Sequence, residues 1–181
     1  GYVVKVDVDG KPIWQVHISN SEVDKLFSAV KTRDGFVLAG LTAPLGNSGA
    51  DVWVVKINEN GNLTWSKTYD LGRDDAGRAV ALSDVNQYFI AGYTNSAGNG
   101  DYDFLLLKID SEGNLLWSKT YGGTESDKAY AMLNVAGGLL IAGDTRSKGE
   151  GDSDAWAIKV NLEGKLIWER TIGGQDFDMP T

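Results

Sequence analysis

Cysteine is absent from the 181-residue chain, which excludes disulfides, thiolate metal sites and thiol nucleophiles. That absence does not separate the cytoplasm from the cell exterior, because a well-packed repeat core needs no covalent staple. Proline is scarce, at 3 residues against 23 glycines, a balance that suits many tight turns rather than disorder. No apolar run approaches the roughly 20 residues of a membrane helix. Positive charge is also short: the net charge of −8 argues against nucleic acid as a partner, since phosphate binding needs a basic face. The sequence opens in mid-repeat, so the lack of an export signal at Gly1 leaves room for one upstream.

What the chain has in abundance is repetition. Trp14, Trp65, Trp117 and Trp168 are spaced by 51, 52 and 51 residues. Lys5, Lys56, Lys108 and Lys159 follow the same intervals, as do Gly10, Gly61, Gly113 and Gly164. Asp24, Asp75, Asp127 and Asp178 make a fourth series, and Gly40, Gly92 and Gly143 a fifth. A period near 51 residues marks one array rather than two unlike domains. The array divides into a half unit at 1–21, three whole units at 22–72, 73–123 and 124–175, and the start of another at 176–181.

Each whole unit holds four short strand-like runs separated by turn residues. In the unit that starts at Asp75 these are Gly77–Ser83, Tyr88–Thr94, Phe104–Asp110 and Leu115–Tyr121. In the half unit they are Tyr2–Val8 and Pro12–Ser19. The third and fourth runs are joined by Ser-Glu-Gly-Asn or its equivalents, whose glycine can take the positive φ of a hairpin with a G1 bulge. No window sustains helical periodicity. Four-stranded meanders at this period predict an all-β fold, a β-propeller of four-stranded antiparallel blades with about 3.5 repeats present. Small residues at Ser28, Ala79 and Ala131 suit a crowded first strand near the axis. Trp14, Trp65, Trp117 and Trp168, on fourth strands, are expected to be buried between blades.

The stretch from Ile57 to Trp65, with its turn at Gly61, resembles the strand–turn–strand motif of PQQ-type propellers, with a turn one residue shorter. The copies at Asp7…Gly10…Trp14, Asp110…Gly113…Trp117 and Asn161…Gly164…Trp168 share it. Thr120-Tyr-Gly-Gly…Asp127 and Ile90-Ala-Gly-Tyr-Thr94 more closely resemble the bacterial and archaeal beta-propeller (SBBP-type) repeats of surface proteins. The resemblance spans the whole chain and implies a propeller in an extracellular or cell-envelope protein. It does not supply a function, because such folds host enzymes, assembly factors and adhesive modules. No residue matches a quinone-holding position, so no PQQ cofactor is inferred.

Candidate chemistry is sparse. His17, the only histidine, occupies the slot held by Thr68, Thr120 and Thr171 and reads as a surface residue. The once-per-unit lysines are expected to pair with carboxylates or reach solvent. Asp75, Asp127 and their equivalents are read as structural acceptors for backbone N–H groups at the blade-crossing turn. Gly61, Gly113 and Gly164 are read as structural turn residues. The strand-two-to-three loops and the blade crossings should share one face of a propeller. They comprise residues 19–24, 43–51, 70–75, 95–103, 122–127, 146–154 and 173–178. These carry fifteen of the 25 acidic residues and three of the 17 basic ones. Within them Asp101 with Asp103, and Asp152 with Asp154, are candidate Ca²⁺ ligands, although the spacing is not that of an EF-hand.

The expected function is a non-enzymatic scaffold for protein or surface-glycan binding within a larger cell-surface protein. The alternatives are a piece of a propeller enzyme, quinoprotein-like or hydrolytic, with its active residues elsewhere, and a purely structural spacer. The half unit lacks its first two strands, which predicts a partner: the rest of the parent propeller, or another polypeptide that completes it.

Overall fold

In a computed structural model of the chain, residues 1–45, 49–83, 85–176 and 178 are described. They form fourteen strands and no helix. A two-stranded sheet of β1 (Tyr2–Val6) and β2 (Pro12–His17) precedes three four-stranded antiparallel sheets. The first contains β3 (Val23–Lys31), β4 (Gly35–Ala43), β5 (Asp51–Asn58) and β6 (Leu63–Tyr69). The second contains β7 (Asp75–Leu82), β8 (Tyr88–Thr94), β9 (Asp103–Ile109) and β10 (Leu115–Tyr121). The third contains β11 (Asp127–Val135), β12 (Gly138–Thr145), β13 (Asp154–Val160) and β14 (Leu166–Ile172). Within each sheet the strands are neighbours in chain order. These are propeller blades, three whole and one half. The expected next unit at 176–181 lies mostly outside the described residues.

The third-to-fourth strand hairpins show why the Asx-x-x-Gly pattern recurs. Gly113 N–H donates to the Asp110 carbonyl and Asp110 N–H to that of Asn114, with Gly113 at φ 79°. The Asp110 carboxylate accepts from the N–H groups of Glu112 and Asn114, at 3.0 and 2.8 Å. Asp7, Asn58 and Asn161 accept in the same pattern. An acceptor that closes two turn donors and a residue free to take positive φ specify this turn locally.

Each first strand carries a β-bulge, with Phe27, Arg78 or Tyr130 as the extra residue. The bulge pushes the preceding carbonyl toward the second strand and accounts for the fifth glycine series. A Cβ on Gly40, Gly92 or Gly143 would lie 1.8–1.9 Å from the carbonyl oxygen of Lys25, Ala76 or Lys128. Only glycine fits opposite the bulge.

The apolar core sits between blades. One cluster joins Val37, Ala39, Val52 and Val54 to Val80, Ile90, Leu105 and Leu107 across the first whole-blade junction. A second joins Phe89, Phe104 and Leu106 to Leu139, Ile141, Trp156 and Ile158. A third seats Ile18 and the half blade's Val3, Trp14 and Val16 on Trp53, Val55 and Ile57. The first strands lie against one another, β3 on β7 and β7 on β11, so the blades converge at that edge.

The fourth-strand tryptophans are less buried than expected. Trp14, Trp65 and Trp117 are half-buried, and Trp168 is 38 % exposed. A residue on the outermost strand has only one blade to cover it, and Trp168 has no following blade in the described residues. The indoles that are buried are Trp53 and Trp156, on third strands.

Candidate functional site

The strand-two-to-three loops and the blade crossings do share a face, and hydrogen bonds lace them together. Ala50 N–H donates to the Asp74 carboxylate at 3.0 Å and Asp74 N–H to the Asn95 side-chain oxygen at 2.8 Å. Arg73 N–H reaches Ser96 Oγ at 2.6 Å, and Glu125 N–H reaches Ser147 Oγ at 3.0 Å. Residues 46–48 of this face lie outside the described residues.

The aspartates that open the first strands hold this lacing. Asp127 accepts from Gly123 N–H at 2.8 Å, from Ser147 Oγ–H at 2.7 Å and from the Thr145 hydroxyl. Asp75 accepts from Leu71 N–H and from Ser96 Oγ–H, with Thr94 opposite it in register. Asp24 accepts from Asn20 N–H and Thr42 Oγ–H. Its slight burial works against the charge, but the donors on Thr42, Asn20, Ser19 and Ser21 hold its pKa below the ordinary value. The main-chain N–H of Asp75, Asp127 and Asp178 donates to the carbonyl of Ala50, Tyr102 and Ser153 in the preceding blade. Thr42, Thr94 and Thr145 recur on the same period, a series visible in the sequence itself.

The candidate calcium residues separate by environment. Asp101 and Asp152 are exposed, whereas Asp103 and Asp154 are buried. Asp103 accepts Asn99 N–H at 2.9 Å. Burial, and then the charge of Asp127, push its pKa up despite that bond. The structure therefore brings Asp103 to Asp127 of the next blade, across Gly122. A Cβ on Gly122 would lie 1.9 Å from Asp103 Oδ1 and 2.7 Å from Asp127 Oδ2. Gly173 stands in the same relation to Asp154 and Asp178. At the junction between the first two whole blades the slot holds Asp70 instead of glycine. There burial, and then the charges of Asp70 and Asp75, push the Asp51 carboxyl up. Among the described residues no group of three or more His, Asp or Glu side chains could hold a metal ion.

Beside the Asp103–Gly122 pair is a cleft of about 190 Å³, lined by Asn99, Thr120, Tyr121, Lys148, Trp156 and Glu169 among others. Lys148 pairs with Glu169 at 3.0 Å and lies 5.2 Å from the Trp156 ring centroid. Lys148 and Glu169 break the repeat, since Ala97 and Ser118 occupy the equivalent positions one blade earlier, whereas Trp156 is replaced there by Leu105 but matched by Trp53 in the first whole blade.

A second departure from repetition lies along the first strands. The bulge residues Phe27, Arg78 and Tyr130 stack, with the Arg78 guanidinium 3.9 Å from the Phe27 centroid and 5.5 Å from that of Tyr130. Lys128 Nζ lies 3.8 Å from the Tyr102 centroid and 5.2 Å from that of Tyr93. The two tyrosines meet edge-on at 5.5 Å. Burial, and then the charge of Asp74, push the Tyr102 hydroxyl pKa up. Arg78 and Lys128 form no ion pair among the described residues. Their positive charge is met by ring faces.

His17 is exposed on β2. Lys5 pairs with Glu59 at 2.9 Å and Lys56 with Asp34 at 3.0 Å. Compared with known protein families and with curated proteins, the chain matches none.

Proposed function

We propose that the chain is a non-enzymatic β-propeller scaffold that binds protein or surface glycan through its loop face, in an extracellular or cell-envelope protein. The observation that carries this reading is where the repeat is broken. Turns, bulges and junction aspartates repeat in every whole blade, whereas Arg78, Tyr102, Lys148 and Glu169 have no like residue at the equivalent positions, and Lys128 and Trp156 recur only as Lys25 and Trp53 two blades earlier. They mix aromatic faces with donors and acceptors, the composition that recognises polyhydroxyl or peptide surfaces. The location rests on the likeness of Thr120-Tyr-Gly-Gly…Asp127 to repeats of bacterial and archaeal surface proteins. No helix among the described residues is long and apolar enough to cross a membrane.

The test is binding to an array of envelope polysaccharides and surface proteins. The wild-type chain is expected to retain at least one component, and Tyr102→Ala/Lys128→Ala to lose roughly tenfold or more in affinity for it, about 1.4 kcal/mol, at an unchanged fold. Equal binding by the double variant removes this surface as the recognition site.

A further inference from the structure

The two third-strand tryptophans are equivalent in the repeat but differ in what their indole protons meet. In the first whole blade Trp53 donates its N–H to Ser66 Oγ at 2.8 Å. In the third, Trp156 is as deeply buried, at 2 % exposure, but Glu169 stands where Ser66 does. Glu169 pairs instead with Lys148, whose Nζ lies 3.0 Å from Oε2 and 3.2 Å from Oε1. Among the described residues the Trp156 indole N–H meets no acceptor. A buried donor left unmet is costly, and a serine at 169 would have met it. By the geometry of Trp53, the Trp156 N–H points toward residue 169, and so into the cleft that Glu169 lines.

That cleft of about 190 Å³ has both walls within the chain. Asn99, Thr120 and Tyr121 of the second whole blade form one, and Lys148, Trp156 and Glu169 of the third form the other. The ion pair is accessible, with the Lys148 and Glu169 side chains 33 % and 39 % exposed. The ammonium keeps further protons to donate and the carboxylate further sites to accept. A donor and an acceptor held 3.0 Å apart suit neighbouring hydroxyl groups on a sugar ring, each of which both donates and accepts. The pair carries no net charge. Asp103, the other carboxylate lining the cleft, is buried and takes the Asn99 N–H at 2.9 Å. An anionic ligand therefore gains nothing here, and a cation cannot accept the Trp156 proton. The volume is below the roughly 300–1,000 Å³ of sites for drug-sized ligands, which limits the occupant to a single ring. We propose that the cleft is a subsite for one neutral sugar residue, with Trp156 and Lys148 donating to adjacent ring hydroxyls and Glu169 accepting from them. The proposal rests on the glycan side of the loop-face reading and narrows it to one blade junction.

The indole N–H resonance of Trp156, identified by its loss in Trp156→Phe, reports on the site in a heteronuclear NMR spectrum of the whole chain. Titration with the methyl glycosides of glucose, galactose, mannose and rhamnose should move it saturably for at least one of them, with a Kd on the order of millimolar. Glucuronic acid and acetylalanine amide should leave it in place. Glu169→Ser supplies the partner that Trp53 has, and Lys148→Ala copies Ala97, so both variants carry residues that the repeat already accommodates. Each should weaken the glycoside by roughly tenfold or more, whereas Tyr102→Ala/Lys128→Ala should bind it as the wild type does. A Trp156 signal unmoved by all four glycosides overturns the proposal, as does undiminished binding by Glu169→Ser. A stronger response to glucuronic acid or to the peptide amide overturns the choice of a neutral sugar. If the chain still captures array components in any of these events, the loop-face reading stands and the cleft alone falls.

Discussion

Among single residues, the carboxylates of the loop face divide into those the fold wants charged and those it does not. Asp51 is of the second kind: burial and the charges of Asp70 and Asp75 raise its pKa, and its carboxylate accepts no hydrogen bond in the described residues. Its folded pKa stands above the unfolded one, so its favourable contribution is complete below pH about 3.8 and is lost as pH rises through the folded value. Asp51→Asn should therefore raise the melting temperature at pH 7, with the difference closing as pH falls toward 3. An equal gain at both pH values would point to packing instead. Calcium addresses the exposed acids. With Asp103 and Asp154 buried and no three-ligand group in the described residues, millimolar Ca²⁺ or EDTA should leave the melting curve in place. A rise on Ca²⁺ addition would restore the paired aspartates as ligands.

Strands and turns were the most legible part of the sequence. The runs expected at Tyr88–Thr94 and Leu115–Tyr121 are β8 and β10 as drawn, and the other two runs of that unit differ by one or two residues at their ends. Alternation and turn chemistry are local, so they can be read without a fold. The bulges could not be read this way. Phe27, Arg78 and Tyr130 look like ordinary strand residues, and only pairing with β4, β8 and β12 shows one residue too many. For the same reason the glycines opposite them formed a series without a cause. Period alone picks out the four fourth-strand tryptophans and does not single out Trp53 and Trp156, the two that are buried. Depth depends on having a blade on both sides, and no period reports that. Trp53→Ala should cost about 3–5 kcal/mol and Trp168→Ala under about 1 kcal/mol, by denaturant unfolding. Gly92→Ala should cost several kcal/mol, on the order of the large steric cases, because its Cβ would meet the Ala76 carbonyl at 1.8 Å.

For the whole molecule, structure and recognition are written in different parts of the repeat. Positions that repeat build blades and join them: the turn acceptors, the hairpin glycines, the aspartates bonded across to the previous blade. Positions that vary lie on the loops and on first and fourth strands, where a scaffold can change its ligand without changing its fold. The candidate site was legible only in outline, as an acidic loop face. Its cation–aromatic contacts join residues as far apart as Arg78 and Tyr130, on separate blades. That closeness exists only once the blades converge.

Four-stranded blades stack face to face with the core between them, an arrangement that amide hydrogen exchange resolved to single strands can read out. Middle strands have hydrogen-bonded neighbours on both sides and lie between apolar clusters. Exchange should be slowest in β5, β8, β9 and β12, intermediate in β7 and β10, and fastest in β1 and β14. Uniform protection across each sheet, or slow exchange in β1 and β14 with fast exchange in β8 and β9, would contradict it.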